Sequence, residues 1–282
     1  MTTAIEPHSW RERFAPHLGL PTVESPYFKE LGGGIDPVVQ LELIADLGFP
    51  GVFDLRLATR PPEEQARMAQ TIERRGLAFG GVSLTEQRNL PLLTSSDPEM
   101  RGVLRAEVQR GGEALRRVGG RMLVAHTPRN PDLPAAVERE HMVETLRWAG
   151  DIAAGLGVVI ALETVSDRVF PGRLLNDVHD AFAIAEAVDM PSVGLSFDTG
   201  SIKFESDDIV GAFREVASRV ACVQIGDRPG ADLGAHGYDL VEFLRTVRAC
   251  GFEGLIELEH RVDGREAELE ALERLQTIDR RL

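Results

Sequence analysis

The chain has 282 residues, with 31 Lys and Arg against 45 Asp and Glu, giving a formal net charge of -14 at pH 7. That balance argues against a nucleic-acid partner, which needs a basic face for phosphates, and against an anionic membrane surface. No apolar run approaches the roughly 18 residues of a membrane span, the N-terminal MTTAIEPHSWRERF has no apolar leader core, and Cys222 and Cys250 are too few for a disulfide framework. The expected setting is the reducing cytoplasm, with both thiols buried.

Residues 1–12 read as a polar arm on a single domain spanning 1–282. FAPHLGL (14–20) is a weak first strand because Pro16 interrupts it. Asp36-Pro37 opens a helix that Gly48 closes, and GVFDLRL (51–57) is the second strand. Residues 61–76 begin with proline, carry acids early and arginines late, and end on glycine, as the helix dipole prefers. LAFGGVSL (77–84) is strand three, followed by a long helix over 97–120 in which Gly111-Gly112 is expected to introduce a bend. RMLVAH (121–126) is strand four and 133–157 its helix. GVVIALE (157–163) is strand five, and 176–188 is a helix capped by Asn176 or Asp177. VGLSFD, RVACVQIGD and GLIELE give strands six to eight, separated by helices over 206–219 and 238–251, and 264–282 forms the last helix. Eight strands alternating with eight helices at about thirty residues per unit predict an α/β fold, a single (β/α)8 TIM barrel.

Strands buried on both faces of a barrel end in polar groups here. The apolar run into Glu163 is repeated at Asp198, Gln224 and Glu259, each at the C-terminal end of its strand, where barrels place their chemistry. Side chains two apart share a face, so Ala161, Ser196 and Cys222 lie beneath Glu163, Asp198 and Gln224. Leu162, Phe197 and Val223 then face the helices. Three carboxylates and one amide oxygen form an all-oxygen donor set suited to one hard divalent ion, Mn²⁺ or Mg²⁺. Three negative charges against two positive leave the site about one charge negative, which favours a neutral polyol or hydroxy-carbonyl ligand.

The segments NLPLLTSSDPEMRGVLRAEV, ALETVSD, LSFDTG, VQIGDRPG and FEGLIELEH resemble the xylose-isomerase-like TIM-barrel superfamily, and within it hydroxypyruvate isomerase and its relatives, over about residues 35–262. The resemblance implies that Glu163, Asp198, Gln224 and Glu259 bind the metal. It implies a metal-dependent isomerase or epimerase of a sugar or small hydroxy-carbonyl substrate. A proton would pass through a metal-stabilised enediolate, with Glu163 and Glu259 as base and acid. The chain departs from the family pattern at Ser201, where a histidine is usual, at Thr164 for asparagine, and at Ala231 for arginine, with Arg228 close enough to substitute.

His126 at the end of strand four, Arg228, Ser201 and His17 on the first strand are the candidate substrate contacts, although His126 and His17 equally suit satisfied core histidines. Asp54 and Arg56 share a face and are expected to pair with each other. Glu257, one layer below Glu259, reads either as its support or as the partner of a buried arginine. His260 and His236 are expected on the surface, and His141 facing solvent. The last helix reads as a solvated face able to support a homo-oligomer. The alternatives are a metal-dependent lyase or dehydratase acting on a cyclic ketone, as in inosose dehydratase, and a non-catalytic metal-binding relative. A nuclease of the kind found in the superfamily would need a histidine-rich zinc cluster and a basic surface, which 7 histidines in an acidic chain do not offer.

Overall fold

A computed structural model describes residues 7–20, 22–206, 208–226 and 238–282, and its strands all run parallel in chain order around a cylinder. The strands are β1 (Phe14–Pro16), β2 (Gly51–Val52), β3 (Ala78–Phe79), β4 (Gly81–Ser83), β5 (Met122–Ala125), β6 (Val159–Glu163), β7 (Val193–Asp198), β8 (Val220–Ile225) and β9 (Ile256–Leu258). The helices are α1 (Pro37–Asp46), α2 (Pro62–Arg75), α3 (Pro98–Val118), α4 (Ala135–Leu156), α5 (Val178–Val188), the short α6 (Thr199–Ile202), α7 (Ile209–Val216), α8 (Leu240–Ala249) and α9 (Arg265–Arg281). Seven strands form one curled sheet in the order β1-β9-β8-β7-β6-β5-β4, and β2 pairs with β3. Backbone bonds close the remaining gap: Phe53 N–H donates to Pro16 O at 3.2 Å, Leu18 N–H to Phe53 O at 2.9 Å, and Ser83 N–H to Leu55 O at 3.0 Å. The result is an α/β TIM barrel.

The alternation expected of inward and outward faces divides the core in two. Inside the barrel lie Ala15, Phe53, Leu55, Val124 and Leu255. Between strands and helices, Leu162, Phe197 and Val223 join the larger core, where Phe197, Phe213 and Phe243 meet at ring separations of 5.0–5.8 Å. Register then fixes the polar layer: Asp198 stands beside Gln224, and Gln224 beside Glu257.

Several local expectations change. The third strand is broken at Gly80, where the Glu257 carboxylate leaves no room for a side chain, and Gly81 N–H donates to Glu257 Oε1 at 2.6 Å. The glycines of α3 do not interrupt it; a methyl on Gly111 would lie 2.6 Å from Leu123, and one on Gly112 2.8 Å from Leu156, so they let the helix pack closely. Asp54 pairs with Arg60, whose Nε lies 2.5 Å from Oδ2, and not with the Arg56 guanidinium, which meets Glu86. The chain leaves β2 through a tight turn over Leu57–Thr59, which swings Arg60 back under Asp54. Cys250 is exposed although Cys222 is buried. His260 is buried against Tyr27, and His141 is half-buried, 3.3 Å from Thr94 O. Residues 1–6 of the expected N-terminal arm, and Arg228, Ala231 and His236, lie outside the described residues. No helix among the described residues is long and apolar enough to cross a membrane.

Candidate active site

Three strand ends bring Glu163, Asp198 and Glu259 together at the C-terminal mouth, with one carboxylate oxygen from each lying within 4.8 Å of the others. Glu163 closes β6, Asp198 closes β7, and Glu259 follows β9, held by its N–H to Ile225 O at 2.9 Å. Asp198 also starts α6, a helix not foreseen in the sequence: its Oδ1 accepts from Gly200 N–H at 2.8 Å and its Oδ2 from Ser201 N–H at 3.1 Å. Those bonds fix the carboxylate while leaving lone pairs for the cavity.

Beneath the cluster, Gln224 donates from Nε2 to Glu259 Oε1 at 2.8 Å and to Glu257 Oε2 at 3.2 Å, while its Oε1 accepts from Ser196 Oγ at 2.5 Å. Gln224 therefore presents its amide nitrogen to the carboxylates; a half-turn of the amide is needed for its oxygen to face them, and the Ser196 hydroxyl accepts a bond as readily as it donates one.

The carboxylates perturb one another. Burial opposes ionisation of Glu163, but His126, Arg88 and Arg173 more than offset it and hold its carboxyl below the ordinary range. Burial and the Glu163 charge push Asp198 up to about 6. Burial, then Glu163, Asp198 and Glu257, drive Glu259 well above the usual carboxylate range. Burial lifts Glu257 to about 7 despite bonds from Gly81, Cys222 and Gln224. Like charges this close in a water-poor site ask for a cation.

A cavity of about 350 Å³ opens above the cluster. His126 lines it with Nε2 3.1 Å from Glu163 Oε2, and Ser201 lines it from α6. His17 does not; it lines a neighbouring cavity of about 150 Å³ that shares Leu20 and Arg261 with the first. Its ring is buried, and burial lowers its pKa to about 3. Among the described residues, two cations of the main cavity, Arg88 and Arg261, carry no signal in the sequence. Arg88 enters from the loop after β4 and Arg261 from the loop after β9, so the charge balance drawn from the acids alone omitted both. Arg88 stands directly before the NLP segment noted above, but loop spacing carries no signal of where such a side chain points.

Residues 41–280 match the xylose isomerase-like TIM barrel family. The chain belongs to that family. Among relatives, it is 27% identical over 109 residues to a ketose 3-epimerase of Arthrobacter globiformis, covering 39% of this chain and 37% of the relative. It is 27% identical over 137 residues to a 2-oxo-tetronate isomerase of Cupriavidus necator, covering 46% and 52%. The matched stretches thus span about half or less of those relatives. The structure of a Methylomonas D-allulose 3-epimerase in complex with D-allulose superposes with a TM-score of 0.74 at 18% identity, covering 98% of this chain and 99% of that one. At that identity the likeness is one of fold.

Proposed function

We propose that this xylose isomerase-like barrel acts as one domain, a divalent-metal-dependent isomerase or epimerase of a sugar or small hydroxy-carbonyl compound. The observation that carries the reading is the convergence of Glu163, Asp198 and Glu259 on the floor of one cavity. The residues suit a metal: the donors are all oxygen, they are buried or half-buried, and they repel one another. Glu163, Asp198 and Glu259 would hold the ion, with Gln224 as a fourth ligand once its amide is turned; Mn²⁺ and Mg²⁺ match the donor chemistry. When bound, such an ion supplies the positive charge that acidifies the C–H beside a carbonyl.

The chain's own groups do the rest. Glu163 takes the proton and Glu259 returns one to the neighbouring carbon, both facing the same cavity. His126 steadies Glu163 and donates to a substrate oxygen. Ser201, Arg228 and, through the adjoining cavity, His17 hold the remaining substrate hydroxyls. Two cysteines outside any disulfide suit a reducing compartment such as the cytoplasm.

The reading is tested by hydrogen exchange in deuterated water with a panel of ketoses and hydroxy-acids. Chelation should stop label uptake at the carbon beside the carbonyl, Mn²⁺ or Mg²⁺ should restore it, and Glu163→Gln should reduce it by about 10³-fold. Full exchange in that variant would remove the proton-transfer role. Products that have lost water would replace an isomerase with a dehydratase.

A further inference from the structure

We infer that the substrate carries an apolar group beside its hydroxy-carbonyl unit, seated against Leu20, Leu55, Val165, Val169, Phe170 and Phe204. These six side chains line the same cavity as the three carboxylates. The inference rests on the proposed reading of that cavity as a hydroxy-carbonyl site. Among the described side chains of the wall, Arg88, His126, Ser201 and Arg261 can bond a hydroxyl beside the carboxylates, and the six apolar ones cannot. An unsubstituted ketose bears a hydroxyl on nearly every carbon. Each hydroxyl pressed against an aliphatic or aromatic wall gives up water without a replacement bond.

Exposure gives a second, independent indication. Val169 and Phe170 are 40% and 48% exposed, and among the described residues Ile35 and Val39 are the other large apolar side chains as open to solvent. Both belong to the loop that follows the strand bearing Glu163, so whatever covers them sits next to the reacting carbons. The loop is held in place. Val169 N–H and Phe170 N–H donate to Ser166 O at 2.8 and 3.0 Å, Gly172 N–H donates to Asp167 Oδ1 at 2.9 Å, and the Arg173 guanidinium lies 6.0 Å from the Phe170 ring centre. The apolar wall continues inward through Val165 and Leu55, both buried, where a small ligand reaches and a flat protein surface does not.

A matched pair of hydroxamates tests this on the full chain loaded with Mn²⁺. Acetohydroxamate and 3-phenylpropionohydroxamate present the same two oxygens to the ion and differ only in the apolar group. Calorimetry should show the phenyl compound binding about tenfold tighter, and the double change Val169→Ser, Phe170→Ser should erase most of that ratio while leaving acetohydroxamate affinity within about twofold. Equal affinities, or a ratio untouched by the double change, would overturn the inference. A variant with altered oligomeric state and an unchanged ratio would make the loop a subunit contact, which also overturns it. Mn²⁺ binding is read separately by electron paramagnetic resonance, so failure there counts against the metal centre alone. In that event metal-free protein should still bind 3-phenylpropanol by ligand-observed NMR and lose it in the double variant; no binding would sink the apolar wall as well.

Discussion

Asp54, two residues past β2, and the trio Glu163, Asp198 and Glu259, across the barrel mouth on β6, β7 and after β9, are buried or half-buried acids near strand ends with opposite surroundings. Asp54 is wrapped: Arg60 Nε lies 2.5 Å from Oδ2, Arg56 N–H donates to Oδ1 at 2.9 Å, and the same Arg60 bonds Leu18 O at 3.0 Å and Glu64 at 2.8 Å. The trio instead face one another across less than 4.8 Å, with the half-buried His126 beside one of them. An acid at a barrel strand end is structural where the chain returns a guanidinium to it within one turn. It is available for chemistry where like charges are left confronting each other.

The largest effect that separates the two regions is on stability. Arg60→Met strands the Asp54 carboxylate in the core and should cost about 3–5 kcal/mol in urea unfolding. Glu259→Gln should do the reverse in metal-free protein at pH 7, raising stability by about 1–2 kcal/mol, because burial and the neighbouring acids oppose ionisation of a carboxyl that the unfolded chain ionises freely. If both variants lose stability alike, the contrast between the regions fails. Next in size is the response to metal. Mn²⁺ at a hundredfold over its dissociation constant should stabilise the wild-type fold by about 2.7 kcal/mol, reversed by chelation. The gain should vanish in Asp198→Asn and persist in Asp54→Asn. Loss of the gain in Asp54→Asn would place the ion on the wrong side of the barrel.

The barrel was legible in the sequence because its signals are local: apolar runs of strand length, proline and acids at helix starts, and glycines such as Gly76 and Gly157 at helix ends in the left-handed conformation that glycine adopts freely. The meeting of Glu163, Asp198 and Glu259 was legible for the same reason, since topology alone carries strand ends to one rim. What escaped depends on contacts across the barrel. The need for a glycine at position 80 follows from where Glu257 points, 177 residues later. Asp54 chose Arg60 over Arg56 because of a turn that no residue pattern announces. Arg88 and Arg261 come from loops, and the orientation of the Gln224 amide is set by Ser196 and two acids together. The burial of His260 likewise arises from Tyr27, distant in sequence.

The finest division between the two regions is how stability follows pH, and Glu257 carries it. This carboxyl is buried beneath the trio and pushed up to about 7, against 4.5 for an ordinary glutamate. Between those values the folded chain holds a proton that the unfolded chain has released, so raising the pH favours unfolding. Its contribution is fully present below about pH 4.5 and is lost as the pH climbs through 7. Glu257→Gln removes that dependence, so in metal-free protein the difference between wild type and variant should move in the variant's favour by on the order of 2 kcal/mol between pH 5 and 8. The slope of that difference, rather than its offset, is the readout, because the new amide also changes what Gln224 bonds. His17 and His260 are held near 3 by burial, with His17 and Arg274 also depressing His260, and they slope the other way, costing stability as pH falls from 6.5. They are common to both proteins and cancel in the comparison. A flat difference curve would mean that Glu257 keeps its ordinary acidity in the fold and that the bonds from Gly81 and Gln224 outweigh its burial.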